Sequence, residues 1–355
     1  RRTDKGVLIE GARTNLCLQS QDFTTTWTVT GGTIAANAAA APDGTTTADT
    51  LVEASGSATN YTEQSQSKAA SAITYAFSLY VKRTGAARNV QLRVDTGSAA
   101  NSVIVPFDIG AVSVGTPAAA GTFSHGGSTI TALSGGWYRC VTVVTTGTET
   151  ALRVRVTLLD GTSPTVVGDG TSGLYVWGAQ LEAASFASSY IPTTTASATR
   201  AADVLTVPVT QASPLTGFLE FAYADGVTSA SAAASQYGLV LGSAGNSNRL
   251  IIYNPSSANG QIVQVAAATQ SQIGVVGTVL SGVTQKVAST AATNDFRFVS
   301  NGTLATPDTS GTALSDIVTA RFGSMAGTNA LFGYIRRVAI WTRALTDSEL
   351  QTVST

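Results

Sequence analysis

The sequence predicts an all-β protein: two tandem β-sandwich or jelly-roll domains with a short C-terminal helix. Three observations carry this. Short segments alternate apolar and polar residues with the period of half-buried strands. Only 12% of the 355 residues are charged, and 35 are Gly, so helix-forming surface is scarce and turn material abundant. One helix start signal stands out, and it lies at the C-terminus.

In the first half, Tyr75–Lys82 sets Tyr75, Phe77, Leu79 and Val81 on one face. Leu152–Leu158 alternates likewise, with Arg153 and Arg155 turned to the other side. Asn89–Asp95, Trp137–Val144 and Leu174–Glu182 add three strands. Turn signals at Pro42-Asp-Gly44, Asp95-Thr-Gly97 and Asp160-Gly161 punctuate them, because Gly and Asp tolerate turn backbone angles. Val207-Pro208 and Ser213-Pro214 break the pattern and place a boundary near residues 205 to 214, dividing the chain into 1–207 and 208–355.

The second half restarts at Phe218–Tyr223 and continues through Gly238–Leu241, Arg249–Tyr253, Asp295–Ser300 and Tyr334–Thr342. Gln261–Val287 places strands only loosely. Thr346-Asp-Ser-Glu349 fits a capping box, in which the Thr side chain and the Glu three residues on satisfy each other's backbone amides. Leu350 and Val353 would pin the resulting helix to the sandwich, with Leu345 as a staple.

Twenty basic against 21 acidic residues give a net charge of −1, which leaves no field to hold a phosphate backbone or an anionic membrane. No apolar run approaches the roughly 20 residues that cross a bilayer as a helix. Cys17 and Cys140 are too few and too far apart for a disulfide framework or a zinc site, and both read as buried thiols. The chain starts Arg-Arg-Thr, so an upstream segment is expected.

Catalytic signatures are sparse. The only histidine, His125, sits between Ser124 and two glycines and reads as a loop residue. No Gly-x-Ser-x-Gly elbow accompanies it. Glycoside cleavage needs two facing carboxylates, and Glu182 and Glu220 stand alone on their strands. Gly168-Asp-Gly-Thr-Ser-Gly173 has dinucleotide-loop spacing, but a β-type segment follows it instead of a helix, so it reads as a turn. The Asp-Gly turns at Asp43, Asp160, Asp169 and Asp225 offer oxygens of the kind Ca2+ accepts, without the spacing of a dedicated loop. A structural Ca2+ stays open, and no other cofactor is expected.

Sugar binding leaves a different trace: flat rings stack on the apolar faces of pyranoses while neighbouring polar groups take the hydroxyls. The candidates are Tyr61, Tyr80, Tyr138 and Tyr175 in the first half and Tyr237 and Tyr253 in the second. Tyr80 lies opposite the Tyr75/Phe77/Leu79/Val81 face and is expected to be the most exposed. Trp137, Trp177 and Trp341 are assigned to the core.

Gly6-Val-Leu-Ile-Glu-Gly-Ala-Arg-Thr-Asn15, Ser20-Gln-Asp-Phe23, Trp27, Ala41-Pro-Asp-Gly44 and Ala48-Asp49 resemble the opening of a module of bacteriophage tail-fibre, head-fibre and other minor virion proteins. Leu174–Glu182, Ser188-Ser-Tyr-Ile-Pro-Thr193 and Arg200-Ala-Ala-Asp203 are similar to its final strand and exit, and such modules resemble carbohydrate-binding jelly rolls. The second half resembles a concanavalin A-like, laminin G-type lectin domain. Asn301-Gly302 is similar to its reverse turn, Ala320–Gly323 to its penultimate strand, and Phe332–Trp341 with Arg343-Ala-Leu345 and Ser348-Glu-Leu350 to its closing strand and helix.

The resemblance implies a non-enzymatic fibre or spike on the virion surface, assembled in the host cytoplasm and binding a host-surface polysaccharide. It further implies contacts with other virion proteins and a homo-oligomer, by resemblance a trimer, in which weak sites gain avidity. The alternatives are a purely structural capsid or tail decoration, a polysaccharide depolymerase for which Glu182 and Glu220 are the first carboxylates to neutralise, and a secreted bacterial adhesin.

Overall fold

The computed structural model describes residues 2–225, 227, 235–243, 248–254, 262–266, 272–273, 282–312, 314–325 and 327–355. The fold is all-β with one short α-helix, Asp347–Ser354. The chain forms two compact units, Arg13–Arg200 and Arg1–Ala12 with Ala201–Thr355. The first twelve residues, which the sequence division puts in the first domain, thus lie in the second unit. There Gly6–Ile9 pairs with the strand Gly333–Trp341.

The unit Arg13–Arg200 is a sandwich of two antiparallel sheets. One runs in the order Ser113–Val114, Ser102–Asp108, Arg88–Asp95, Ala151–Asp160, Tyr61–Ser67, Thr28–Thr30. The other runs Ser124–Ala132, Tyr138–Thr145, Thr74–Thr84, Gly173–Glu182, Ala48–Val52, Thr33–Ala39. The alternation read from the sequence decides which residues meet between the sheets. Tyr75, Phe77, Leu79 and Val81 pack against Val90, Leu92, Val94, Leu152, Val154, Val156 and Leu158, all buried. Cys17 and Cys140 lie in this core as free thiols.

The strand Gly173–Glu182 keeps its alternation through a bulge. Leu174 and Val176 face the core, the register shifts between Trp177 and Gln180, and Ala179 and Leu181 face the core again. Gly178 takes the extra position at φ +65, where a Cβ would meet the Tyr80 ring at 2.9 Å. A side chain there would be strained by its backbone and crowded by the ring.

The second unit also has two sheets. One is ordered Arg2–Thr3, Gly6–Ile9, Gly333–Trp341, Leu215–Tyr223, Gln285–Ala292, Asp295–Ser300, Thr303–Leu304. The other is Leu205–Gln211, Ile317–Phe322, Gln236–Gly242, Arg249–Asn254, Ile262–Ala266, Gln272–Ile273. Gly217, Leu219, Phe221 and Tyr223 alternate on one face of the first sheet, and Leu219 approaches Gly238 of the other. The helix covers the opposite face, where Leu345 and Leu350 pack with Phe218, Ala288 and Val299. Its capping box is present: Glu349 N donates to Thr346 Oγ1 at 3.3 Å and Thr346 N to Glu349 Oε2 at 2.8 Å.

Two expectations change, those for His125 and Trp341. His125 lies on the strand Ser124–Ala132 at a register shift, its Nε2 2.8 Å from Ser128 Oγ, rather than in a loop. Trp137 and Trp177 are buried as expected, in a second core cluster with Ala41 and Ala48. Trp341 is only half-buried, packed against the Phe218 cluster. Of the loosely placed stretch, Ile262–Ala266, Gln272–Ile273 and Gln285–Ala292 are strands, and residues 261, 267–271 and 274–281 lie outside the described residues. No helix among the described residues is long and apolar enough to cross a membrane.

Candidate functional site

The six tyrosines fall into four settings. Tyr61 stands on the outward face of the strand Tyr61–Ser67, with the Arg155 guanidinium 4.0 Å from its ring centroid. Cross-strand pairing builds a charge ladder beside it. Asp95 accepts from Arg153 Nε at 2.9 Å and also pairs with Arg93. Glu63 accepts from Arg153 Nη1 at 3.0 Å and Arg155 Nε at 2.7 Å. Three guanidinium groups and two carboxylates thus interlock over the sheet with one positive charge in excess, and one face of the Tyr61 ring is covered.

Tyr80 and Tyr175 join Trp137, Trp177 and Tyr190 in the satellite cluster. Tyr80 points outward as expected but is hemmed in. Trp177 lies edge-on at 5.2 Å, Tyr190 at 6.2 Å, and the Arg139 guanidinium at 5.3 Å. Tyr190 Oη shares a hydrogen bond with Ser20 Oγ at 2.5 Å, and burial pushes its phenol above the ordinary value. These rings act as a packing unit, with little free face for a ligand. Tyr138 packs half-buried against the main core.

Tyr237 and Tyr253 are brought together. They are direct cross-strand partners of the strands Gln236–Gly242 and Arg249–Asn254, where opposed side chains stand about 5 Å apart. Their rings stack with centroids 5.4 Å apart and planes within 16°. Both are half-buried. Burial first, then the neighbouring Tyr237, pushes the Tyr253 phenol above its usual value, so it keeps its proton.

On the other, inward face of these strands, between the two sheets, lies a small pocket of about 10 Å³ lined by Phe221, Ile252, Asn254 and Leu331. Tyr223 and Gln236 line it with polar groups. Sequence reading missed these two residues. Tyr223 ends an alternating strand and has the look of a core position, and Gln236 precedes any apolar pattern, so neither carried a local signal.

Glu182 and Glu220 are each engaged within their own unit. Glu182 is fully buried and accepts from Gln180 Nε2 at 2.8 Å, Ser188 N at 2.9 Å and Ser188 Oγ at 2.5 Å. It fastens the segment after its strand. Glu220, in the other unit, faces Arg337 Nε at 3.7 Å. The Asp-Gly turns are also engaged. Asp169 Oδ1 accepts from the backbone of Thr171 and Ser172, Asp43 Oδ1 from Thr45, while Asp160 pairs with Arg88 and Asp225 with Lys5. Among the described residues no three His, Cys, Asp or Glu side chains converge to hold a metal ion.

No known family's sequence profile matches the chain, and no curated protein matches it. Among solved structures, it is similar to the native heptameric SAP-like pentraxin from Limulus polyphemus, at 16% identity and TM-score 0.33 over 42% of this chain and 72% of that one. It is similar to the CBM40 of the Ruminococcus gnavus IT-sialidase, at 18% identity and TM-score 0.31 over 42% and 98%. It is also similar to domains LG4-5 of the mouse laminin α1 chain, at 12% identity and TM-score 0.30 over 97% and 94%. None of these likenesses assigns a family.

Proposed function

We propose that this chain is a non-enzymatic glycan-binding protein that contacts sugar through Tyr237 and Tyr253. One observation carries the reading: of the six tyrosines singled out by sequence, these two stack on each other and remain partly exposed on the outer face of their sheet. Parallel aromatic rings that carry phenol hydroxyls suit a pyranose, whose C–H face is apolar and whose rim is polar. The buried hydrogen bonds of Glu182 speak for a structural role there and against a depolymerase built on that residue.

The wider role we propose is that of a fibre or spike on a bacteriophage surface, binding host polysaccharide as a symmetric oligomer, a trimer by resemblance. Its support is the run Gly6–Asn15 together with Leu174–Glu182 and Phe332–Trp341. The near-neutral charge suits a surface that recognises neutral sugar by shape and stacking rather than by field.

The test is binding of the labelled full chain to a panel of bacterial cells and to their purified surface polysaccharides on an array. Selective labelling that soluble polysaccharide competes away is the expected result. Blank arrays and unlabelled cells would overturn the reading in favour of a purely structural decoration.

A further inference from the structure

We infer that one end of the unit Arg13–Arg200 is a monovalent-cation site made of main-chain carbonyls, and that the ammonium group of Lys68 is the cation that fills it and latches two loops together. The inference is independent of the glycan reading.

The register places the two loops. Residues 68–73 carry the chain from the strand Tyr61–Ser67 of one sheet to Thr74–Thr84 of the other, and residues 146–150 return from Tyr138–Thr145 to Ala151–Asp160. Ser67 pairs with Ala151 and Thr74 with Thr145, so the loops cross the end of the sandwich side by side. At their roots Lys68 N donates to Thr150 O and Thr146 N to Ile73 O, each at 2.9 Å.

Lys68 Nζ stands among four carbonyl oxygens, two from each loop: Ala69 at 2.9 Å, Ser71 at 2.9 Å, Gly147 at 3.0 Å and Glu149 at 2.6 Å. An ammonium has three protons to donate. The Ala69 carbonyl already accepts from Ser71 N at 2.8 Å, whereas those of Ser71, Gly147 and Glu149 accept from no other group among the described residues. Three protons thus meet three carbonyls that have no second donor, and the fourth oxygen completes the shell. The Thr122 hydroxyl first, and the Lys68 charge as a smaller contribution, hold the Glu149 carboxyl below its ordinary value, so a negative charge stands near the cage.

The shell sets the class of cation. Calcium takes about six to eight oxygens, carboxylates among them, at about 2.3–2.6 Å, and magnesium demands an octahedron that is tighter still. Four neutral carbonyls at 2.6–3.0 Å suit neither. They suit a large monovalent ion, whose water shell carbonyl oxygens can replace; ammonium and K+ are close in size, and Na+ and Li+ are smaller. Because the ammonium is tethered to the chain, its effective concentration at the cage does not depend on the ions in solution. Lysine thereby does for these loops what a bound ion does for loops that lack one.

The test is thermal unfolding of the full chain and its Lys68→Ala and Lys68→Met variants in NH4Cl, KCl, NaCl and LiCl at equal ionic strength. In LiCl the Lys68→Ala variant is expected to melt about 4 °C or more below wild type, because three carbonyls lose their donor. That gap is expected to narrow in NH4Cl and KCl and to persist in NaCl, as free ions of the right size enter the vacated cage. Lys68→Met fills the cage without a charge, and its gap is expected to be the same in every salt. No gap for Lys68→Ala, a gap that is equal in all four salts, or a narrowing that Lys68→Met shows equally would overturn the inference. If Lys68→Ala does not fold, wild type decides: an amine-acylating reagent should modify Lys5, whose side chain is 47% exposed, well before Lys68, and equal labelling of the two overturns the cage.

Discussion

Replacing Glu182 separates a structural carboxylate from a catalytic one. The group is fully buried and accepts three hydrogen bonds, from Gln180 Nε2, Ser188 N and Ser188 Oγ. Glu182→Ala leaves the Ser188 amide without an acceptor, at about 1–3 kcal/mol. Gln180 Nε2 retains only contacts of 3.4 Å to the Ser188 and Ser189 carbonyls, and a small void adds to the loss. The sum is about 3 kcal/mol. Glu182→Gln costs less, about 1 kcal/mol, because the Ser188 hydroxyl can reverse and accept from the new amide. For a unit the size of Arg13–Arg200, each kcal/mol moves the melting midpoint by about 2–4 °C. Calorimetry of the full chain should therefore show this unit's transition lowered by about 6–12 °C in Glu182→Ala and about 2–4 °C in Glu182→Gln. An Ala variant melting within about 1 °C of wild type would refute the structural role, and a Gln variant of unchanged stability that loses polysaccharide cleavage would establish a catalytic one.

Breaking the ion pair of Arg88 and Glu53, whose side chains are 9% and 0% exposed with Nε to Oε2 at 2.5 Å, should cost about 3–5 kcal/mol in Glu53→Gln, read from denaturant midpoints. Acid should loosen the C-terminal helix in a defined window. Arg343 first, then the Thr346 amide, hold Glu349 down at about 2 against an ordinary 4.5, so its contribution is complete above the unfolded value and fades as pH falls from about 4.5 toward 2; amide shifts of Glu349 and Leu350 should track it, and Glu349→Gln should flatten the profile. Burial raises both thiols above the ordinary value, so a thiol reagent should leave Cys17 and Cys140 unmodified in the native chain and modify both after denaturation. Fast native labelling would contradict the packing described.

Strands with clean alternation were legible because burial on one face forces period 2 in the sequence. Thr74–Thr84, Arg88–Asp95 and Ala151–Asp160 follow that rule, and Arg153 and Arg155 point outward as read. Thr33–Ala39 and Ser124–Ala132 carry almost no large apolar residue; they lie at sheet edges, where little burial is required of them. The placement of Gly6–Ile9 in the second unit depends on pairing with a strand more than 300 residues later, which no local pattern encodes.

The site was half legible for the same reason. Tyrosine faces follow from alternation, so Tyr80 was read as outward, but the covering by Tyr190 and Arg139 comes from other segments. Tyr237 and Tyr253 could be named singly. Their partnership depends on the register between two strands, and the pocket depends on Tyr223 arriving from the opposite sheet.

The account's central claim is that Tyr237 and Tyr253 hold the sugar. Its most direct test is calorimetric titration of wild type, Tyr253→Ala and Tyr80→Ala with the polysaccharide that wild type retains on the array. Tyr253→Ala is expected to weaken binding by about tenfold or more, with Tyr80→Ala binding as wild type does once its folding is confirmed. Equal affinity of Tyr253→Ala and wild type, or loss confined to Tyr80→Ala, would contradict it.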